Sequence, residues 1–332
     1  MLGIFRNNQL ETGVLVVFYA AIFFTNVWLQ PHIDITIYQD TSNVLGLWIY
    51  ELIGTSPMIL NSVFFVLLLL QAFMLNSVVN NYRLAKRYTF ITAICYVLMS
   101  NAFVTLDYCS PAFISNTFLI LALQNLYPTF SKKVLLGQIF NVGFWVGIAS
   151  LIYAASGVYI LLATIGLLIL RPFDLREMLV LLSGYIAPLF LMGVYQFVSD
   201  DFGAWWQHDI AQHYFTFEFL WSIDITFYIS MGIVGIVGLW GFLNAPAIYF
   251  KTTTREKKYI NIIYLMLIVG GVSLVGQNII YLQHFSLLVA PLAVLLSLNI
   301  QSLKSNGTAE FFHLVLFMAV LSVQYLGILK MI

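Results

Sequence analysis

Residues 57–79 read PMILNSVFFVLLLLQAFMLNSVV, a run without a single acidic or basic side chain. An α-helix needs about 20 mostly apolar residues to cross the hydrocarbon core of a bilayer, so this stretch predicts a transmembrane helix. The basic loop NNYRLAKRYTF follows at residues 80–90. Because basic loops stay on the cytoplasmic side of a membrane, the pair also predicts which end of the helix faces the cytoplasm.

The rest of the chain has the same apolar character. Of its 332 residues, 61% are hydrophobic and 8% are charged, against roughly 45–50% and roughly 25% in soluble domains. The first apolar stretch lacks a small-x-small cleavage site, so we expect a retained span and not a signal peptide. The same window predicts eleven spans, within a range of ten to twelve, at residues 12–29, 57–79, 90–108, 111–128, 134–155, 157–170, 177–198, 225–249, 259–277, 279–299 and 310–330.

The basic residues predict the orientation of these spans. Every Lys and Arg before the last span falls in alternate loops, which predicts a cytoplasmic N-terminus and an outer C-terminus. The expected inner side then carries 13 basic residues against five acids, a net charge of +8, and the outer side carries Lys330 against nine acids, a net charge of −8. The formal net charge of zero is therefore a cancellation across the bilayer, and an odd number of spans fits it best.

Two outer segments are longer than a tight turn, residues 30–56 and 199–224. In the first, the amphipathic run from Asn43 to Gly54 predicts a short interfacial helix. In the second, aromatic residues recur at three- and four-residue steps, which predicts an interfacial helix over about 203–222 with an aromatic face toward lipid. We therefore expect an all-α helix bundle that forms one integral membrane domain over residues 1–332, with no soluble domain.

Several classes of protein are disfavoured. No basic patch with interleaved aromatic residues indicates nucleic-acid binding, and the chain has no GxxxxGK[ST], HExxH, GxSxG or CxxC motif. Cys95 and Cys109 would stand ~21 Å apart on one helix, too far for a disulfide. Amides within the spans, such as Gln71 and Asn116, are expected to form hydrogen bonds between helices, and the glycines at 232, 235, 238 and 241 are expected to serve helix packing.

The expected outer face contains the candidate site residues. Asp34 and Asp40 bracket an apolar stretch that should hold them near the membrane plane. Asp209 and His213 stand at i, i+4, a spacing that aims two side chains at one ion, so with Asp34 or Asp40 they could bind a divalent cation. For most of the nine outer acids, the alternative is a solvated acidic rim.

The order of segments in the first half carries a family resemblance. After the acidic outer loop and the basic loop, a hairpin at Cys109-Ser110-Pro111 leads into NTFLILALQNLYP, FNVGFWVGIASLIY and ILLATIGLLILRP. Over residues 1–180 this order resembles the GT-C glycosyltransferases, polytopic enzymes that take a sugar from a polyprenyl-phosphate carrier at the outer face. Residues 181–332 would then supply the C-terminal helices. The stretches LLLQAFMLNSVVNNYRLAKRYTF and LRPFDLRE also look like those of an uncharacterised bacterial integral-membrane family, over most of the chain.

The GT-C resemblance implies an inverting displacement. A carboxylate in the first outer loop serves the chemistry in that superfamily, and the matching positions here are Asp34 and Asp40. The expected outer face has no Lys or Arg except Lys330, so a divalent cation would have to stabilise the leaving phosphate. The other residues expected to line the substrate site are His32, Glu51, Trp205, Trp206, His208, His284 and Lys330.

Three functions follow as hypotheses for a bacterial inner-membrane protein. The first is a polyprenyl-phosphate-sugar-dependent glycosyltransferase of envelope glycan or glycolipid assembly. The second is a non-enzymatic membrane component that binds a protein partner of an envelope-assembly or secretion complex, which would explain the missing outer cations without a metal. The third is a lipid or small-molecule transporter, which the lack of charged residues at the midplane of the spans disfavours.

Overall fold

A computed structural model gives the fold and describes residues 5, 10–29, 42–54, 56–85, 87–103, 110–130, 135–207, 220–221, 225–249, 252–275, 279–280, 282–303 and 305–329. These residues are overwhelmingly helical. The α-helices are α1 (Leu10–Leu29), α2 (Val44–Ile53), α3 (Pro57–Asn81), α4 (Ile91–Phe103), α5 (Pro111–Leu126), α6 (Leu136–Ile152), α7 (Tyr159–Leu170), α8 (Leu175–Val198), α9 (Phe202–Trp205), α10 (Ile225–Tyr249), α11 (Thr254–Val275), α12 (Ser286–Ser302) and α13 (Asn306–Leu329).

Short elements join some of these helices. Among the described residues, three 3₁₀ turns occupy Tyr127–Phe130, Ala154–Val158 and Leu282–Phe285. In the part of the chain that the structure describes, the only strands are β1 (Leu220–Trp221) and β2 (Ile279–Ile280), which pair in parallel. This pairing corrects two expectations. Residues 220–221 are not helical, because their backbone bonds to β2, and the span predicted at 279–299 begins with β2 and a 3₁₀ turn, so its α-helix starts only at Ser286.

The helix bundle expected from the sequence is confirmed. An α-helix overlaps each of the eleven predicted stretches, and α2 occupies the predicted run from Asn43 to Gly54. Within the described residues, four helices are long and apolar enough to cross a membrane, namely α3, α8, Thr254–Leu274 of α11 and Asn306–Val323 of α13. These four helices indicate a membrane protein.

The centre of the bundle is α12. Every residue from Ser286 to Ile300 is buried, and α12 packs against α4, α5, α10, α11 and α13. Because its whole surface is covered by protein, the other helices surround α12. The polar Ser297 on this helix accepts a hydrogen bond from the Thr92 hydroxyl of α4 at 3.1 Å.

Three glycines bring α6 and α8 into close contact. A Cβ atom on Gly147 of α6 would lie 2.5 Å from the Tyr185 carbonyl oxygen and 2.5 Å from Cγ of Pro188, both on α8. A Cβ atom on Gly143 would overlap the Leu181 carbonyl oxygen, and one on Gly184 would overlap the Phe140 carbonyl oxygen. Small residues four apart let two helix backbones approach this closely, so the sequence GFWVG at 143–147 sets this helix crossing.

Candidate functional site

The helix ends define two ends of the bundle with different charge. We call the part formed by residues 82–90, 127–130, 170–177 and 252–259 the basic end. The acidic end is the part formed by residues 42–54, 150–158, 195–207 and 282–286. All Lys and Arg side chains among the described residues lie at the basic end, whereas Glu51, Asp200 and Asp201 lie at the acidic end. The candidate residues that the structure describes, Glu51, Trp205, Trp206 and His284, also lie at the acidic end.

Helix α2 is docked at the acidic end by Asn43. The backbone N–H of Asn43 donates to the Ile152 carbonyl oxygen at 3.1 Å, and its side-chain amide donates to the Ser150 carbonyl oxygen at 2.9 Å. These are two of the last carbonyls of α6, which have no partner within their own helix. A Cβ atom on Gly46 would lie 2.8 Å from the Ile152 oxygen, so glycine is needed for this approach. The segment that connects α1 to α2, which we call the first connecting segment, therefore ends at a fixed position, and we call the docked helix α2 with the end of α6 the platform.

Aromatic side chains complete the docking of α2. Trp48 meets the Tyr195 ring of α8 edge-on, with 4.9 Å between centroids. Trp205 of α9 is only 6% exposed and packs in a cluster with Leu151 and Met192. Trp205 is one of the aromatic residues at 203–222 that were expected to face lipid, and that orientation is wrong for it, because the short α9 turns its ring into the protein. Trp206, in contrast, is 52% exposed.

A tyrosine and a histidine form a buried pair next to this platform. His284 lies in the 3₁₀ turn before α12 and is 0% exposed, and Tyr153 directly follows α6 and is 1% exposed. The Tyr153 hydroxyl is hydrogen-bonded to Nδ1 of His284, and the two rings are stacked with 5.7 Å between centroids. The Ser156 hydroxyl donates to the Tyr153 carbonyl oxygen at 2.8 Å. The pair therefore links the ends of α6 and α12.

A polar network continues from this pair into the bundle. The Asn116 amide donates to the Ser286 carbonyl oxygen at 3.3 Å and to the Tyr96 hydroxyl at 3.1 Å. Tyr96 in turn donates to Oε1 of Gln71, whose amide donates to the Phe113 carbonyl oxygen at 2.8 Å. The network joins α3, α4, α5 and α12. The prediction that span amides form hydrogen bonds between helices is thus confirmed for Gln71 and Asn116.

The chemistry of these groups suits hydrogen bonding better than ion binding. Three buried acceptor atoms, Oδ1 of Asn43, Oδ1 of Asn116 and Oγ of Ser42, have no hydrogen-bond partner in the described part of the chain. Buried oxygens of this kind normally accept a hydrogen bond, and a hydroxyl group is one suitable donor. No group of three or more His, Cys, Asp or Glu side chains that could hold a metal ion occurs among the described residues.

The structure describes four of the predicted site residues. His284 is buried in the pair with Tyr153, Trp205 is buried under α2, and Glu51 on α2 and Trp206 beside α9 are exposed. The structure brings Trp205 and α2 together, and it places His284 at the neighbouring end of α6. The other predictions fall outside the described residues: Asp34 and Asp40 as catalytic groups, Asp209 and His213 as metal ligands, and His32, His208 and Lys330 as substrate-binding residues.

Sequence reasoning did not identify Asn43, Tyr96 or Tyr153. A tyrosine in an apolar stretch is also typical of the membrane interface, so neither tyrosine carries a local signal of burial. Asn43 did have a signal, because Asn immediately before an amphipathic run is a favoured N-cap residue.

Comparison of the chain with protein-family models, with curated proteins and with solved structures finds no match.

Proposed function

We propose that this chain is a polytopic protein of a bacterial inner membrane that transfers a sugar from a polyprenyl-phosphate carrier at its acidic end. The observation that carries the proposal is the docking of α2. Asn43 ties the end of the first connecting segment to the last carbonyls of α6, next to the buried Tyr153–His284 pair. A short interfacial helix in this position of the chain is one of the elements in the order of segments that resembles the GT-C enzymes.

The distribution of charge supports the orientation. The described cations all lie at the basic end, and basic segments remain on the cytoplasmic side during insertion. With eleven spans and a cytoplasmic N-terminus, the acidic end faces away from the cytoplasm. A lipid-linked sugar in the outer leaflet would then reach the bundle at α2.

The position of Asn43 supports a catalytic role for the acids that precede it. Asp40 comes three residues before Asn43 in the sequence, and three extended residues span at most about 11 Å. A carboxylate within that reach of the α6 end could act as general base on the acceptor hydroxyl, a role that contributes typically about 10²- to 10⁴-fold in rate.

Native mass spectrometry of the protein in mild detergent is the first test. Co-purification of a polyprenyl phosphate is expected, because the carrier is the substrate that all such transfers share. A stoichiometric protein in place of the lipid would contradict the transferase and favour an envelope-complex component. The exposed aromatic residues Phe197 and Trp206 at the acidic end are the observation that would suit such a partner.

The second test measures transfer from undecaprenyl phosphate carrying a tritiated hexose, with the protein in liposomes and a cell-envelope extract that supplies acceptor hydroxyl groups. Asp34→Asn and Asp40→Asn, singly and together, are expected to reduce the loss of label from the lipid by about 10²-fold or more. Asp200→Asn is the matched control, since it removes an exposed acid of the acidic end that has no place in the site. Asn is also tolerated at the positive φ of 60° that Asp200 adopts. Full activity in the double variant would refute the catalytic assignment.

A further inference from the structure

Three tyrosines form a rigid floor at the basic end. Tyr127 and Tyr259 stack with 4.5 Å between centroids, and each hydroxyl donates to the carbonyl oxygen of the other residue at 3.1 Å. Tyr82 meets both rings edge-on, at 5.0 and 5.3 Å. Burial, then the neighbouring Tyr259, raise the pKa of Tyr82 above its ordinary value, against a smaller lowering by Arg255. The Tyr82 phenol therefore stays neutral, and it does not repel an anion.

Three cations converge at the edge of this floor. The Arg255 guanidinium lies 5.6 Å from the centre of the Phe130 ring, and the Lys258 ammonium lies 5.3 Å from it. Arg171 donates to the Thr129 carbonyl oxygen at 3.0 Å, and the Lys258 ammonium contacts the last carbonyl of α7, that of Leu170, at 3.4 Å. The ends of α5, α7 and α11 thus hold three positive charges around Phe130.

Only one of these charges is matched by a carboxylate. Glu177 pairs with Arg171 at 2.7 Å. The other two acids of the basic end accept backbone N–H groups at helix starts, Asp174 from Arg176 at 2.9 Å and Glu256 from Thr253 at 2.8 Å. Among the described residues, no carboxylate lies within 4.0 Å of the Arg255 or Lys258 nitrogens. Arg255 and Lys258 are therefore available to an external anion.

An apolar stripe leads away from this cluster along α7. Leu161, Ile165 and Leu168 are exposed and lie at i, i+4 and i+7, so they share one face of the helix. They cover about 10 Å of helix, within the depth of one leaflet of ~15 Å. The stripe ends one turn before Arg171. A charged head at Phe130 and an acyl chain on α7 would thus belong to one amphipathic molecule.

We propose that the basic cluster of Arg255 and Lys258 around Phe130 binds the phosphate of an anionic phospholipid. Arg255 and Lys258 contact the phosphate, Arg171 is held beside them by its bonds to Thr129 and Glu177, and the exposed face of α7 receives an acyl chain. Basic clefts between transmembrane helices bind anionic headgroups in this way. The inference does not rest on sugar transfer, since none of its residues lies at the acidic end.

The wild-type protein allows a test without any substitution. Native mass spectrometry from mixed micelles should show phosphatidylglycerol retained in preference to phosphatidylcholine with the same acyl chains. Inorganic phosphate at millimolar concentration should not displace the lipid, because it lacks the acyl chain. Equal retention of the two lipids would overturn the proposal, and so would displacement by inorganic phosphate, which would indicate a site for free anions.

Charge-matched variants locate the site. Arg255→Gln with Lys258→Gln is expected to weaken phosphatidylglycerol binding about thirtyfold, from two basic contacts near the surface. The control, Arg87→Gln with Arg176→Gln, removes the same charge from exposed positions of the basic end and should leave binding unchanged. If both double variants lost the same binding affinity for phosphatidylglycerol, binding would depend on the total positive charge of the basic end, and the proposed site would be overturned. Gel-filtration elution as for wild type confirms that each variant is folded.

Discussion

Replacing Gly147 by alanine tests the contact between α6 and α8. The added methyl would lie 2.5 Å from the Tyr185 carbonyl oxygen and 2.5 Å from Cγ of Pro188. Ordinary van der Waals contact begins at 3.4 Å, so each contact is short by about 0.9 Å. One neighbour is backbone and the other is a proline ring, and neither can rotate away. The helices must therefore separate at this point.

The cost follows from two opposing terms. Overpacking a close contact with one methyl typically costs about 1–3 kcal/mol, and the rigid neighbours place this site near 3 kcal/mol. Alanine recovers up to about 1 kcal/mol, because it is the better helix former. We therefore expect Gly147→Ala to lower the free energy of unfolding by about 2 kcal/mol. Reversible unfolding in mixed micelles with increasing dodecyl sulfate measures that quantity.

Gly137→Ala is the matched control on the same helix. A Cβ atom there meets nothing within 4 Å in the described part of the chain, so the variant should be as stable as wild type or slightly more stable. Gly184→Ala, whose methyl would overlap the Phe140 oxygen from the opposite side, should be destabilised like Gly147→Ala. Since one separation of the helices relieves both overlaps, the double variant should lose less than the sum of the single losses. Equal stability of Gly147→Ala and Gly137→Ala would refute the crossing.

Two further substitutions test the buried polar contacts by the same unfolding measurement. Tyr153→Phe removes the hydrogen bond to His284 and should cost about 1–3 kcal/mol, because the imidazole stays buried, whereas Tyr88→Phe at an exposed position should cost nothing. Glu177→Gln leaves the largely buried Arg171 guanidinium without its carboxylate and should cost about 3 kcal/mol. Adding Arg171→Gln should recover part of the lost stability, because it removes the unpaired charge. A double variant that is less stable than Glu177→Gln would contradict the ion pair.

The positions of the helices could be predicted because they depend on local pattern. An apolar run without charges, such as residues 57–79, must be helical in a bilayer to satisfy its backbone hydrogen bonds. The run from Asn43 to Gly54 begins with Asn and ends with Gly, residue types that favour helix ends, and α2 has these two residues at its N-cap and C-cap positions. The Asn43 side chain bonds to Ser150 of α6 instead of capping α2, so residue type marked the end of the helix but not the partner of its amide.

The choice of packing partners could not be predicted in the same way. The glycine repeat of α10 predicts close helix packing, yet a Cβ atom on Gly232 or Gly235 would meet nothing within 4 Å among the described residues. The expectation that all four glycines of that repeat serve packing is therefore not met at these two positions. Gly143 and Gly147 set the closest crossing instead, because what a glycine contacts depends on a second helix.

The acidic-end pair shows the same limit over a longer distance. Tyr153 and His284 are separated by 131 positions in the chain, and no sequence pattern around either residue predicts that they are in contact. They meet because one follows α6 and the other precedes the central helix α12. A candidate site formed by helix ends is thus a result of bundle topology, so only His284 could be proposed from its own residue type.

The close crossing of α6 and α8 also bears on where the first connecting segment is held. Asn43 bonds to the carbonyl oxygens of Ser150 and Ile152, which follow Gly147 by less than two helical turns. The ring contact of Trp48 with Tyr195 fixes the other side of α2 to α8. Because α2 bridges both helices, a change in their separation must alter one of its two attachments. The glycines inside the bundle therefore help to determine where the segment that carries Asp34 and Asp40 returns to the protein.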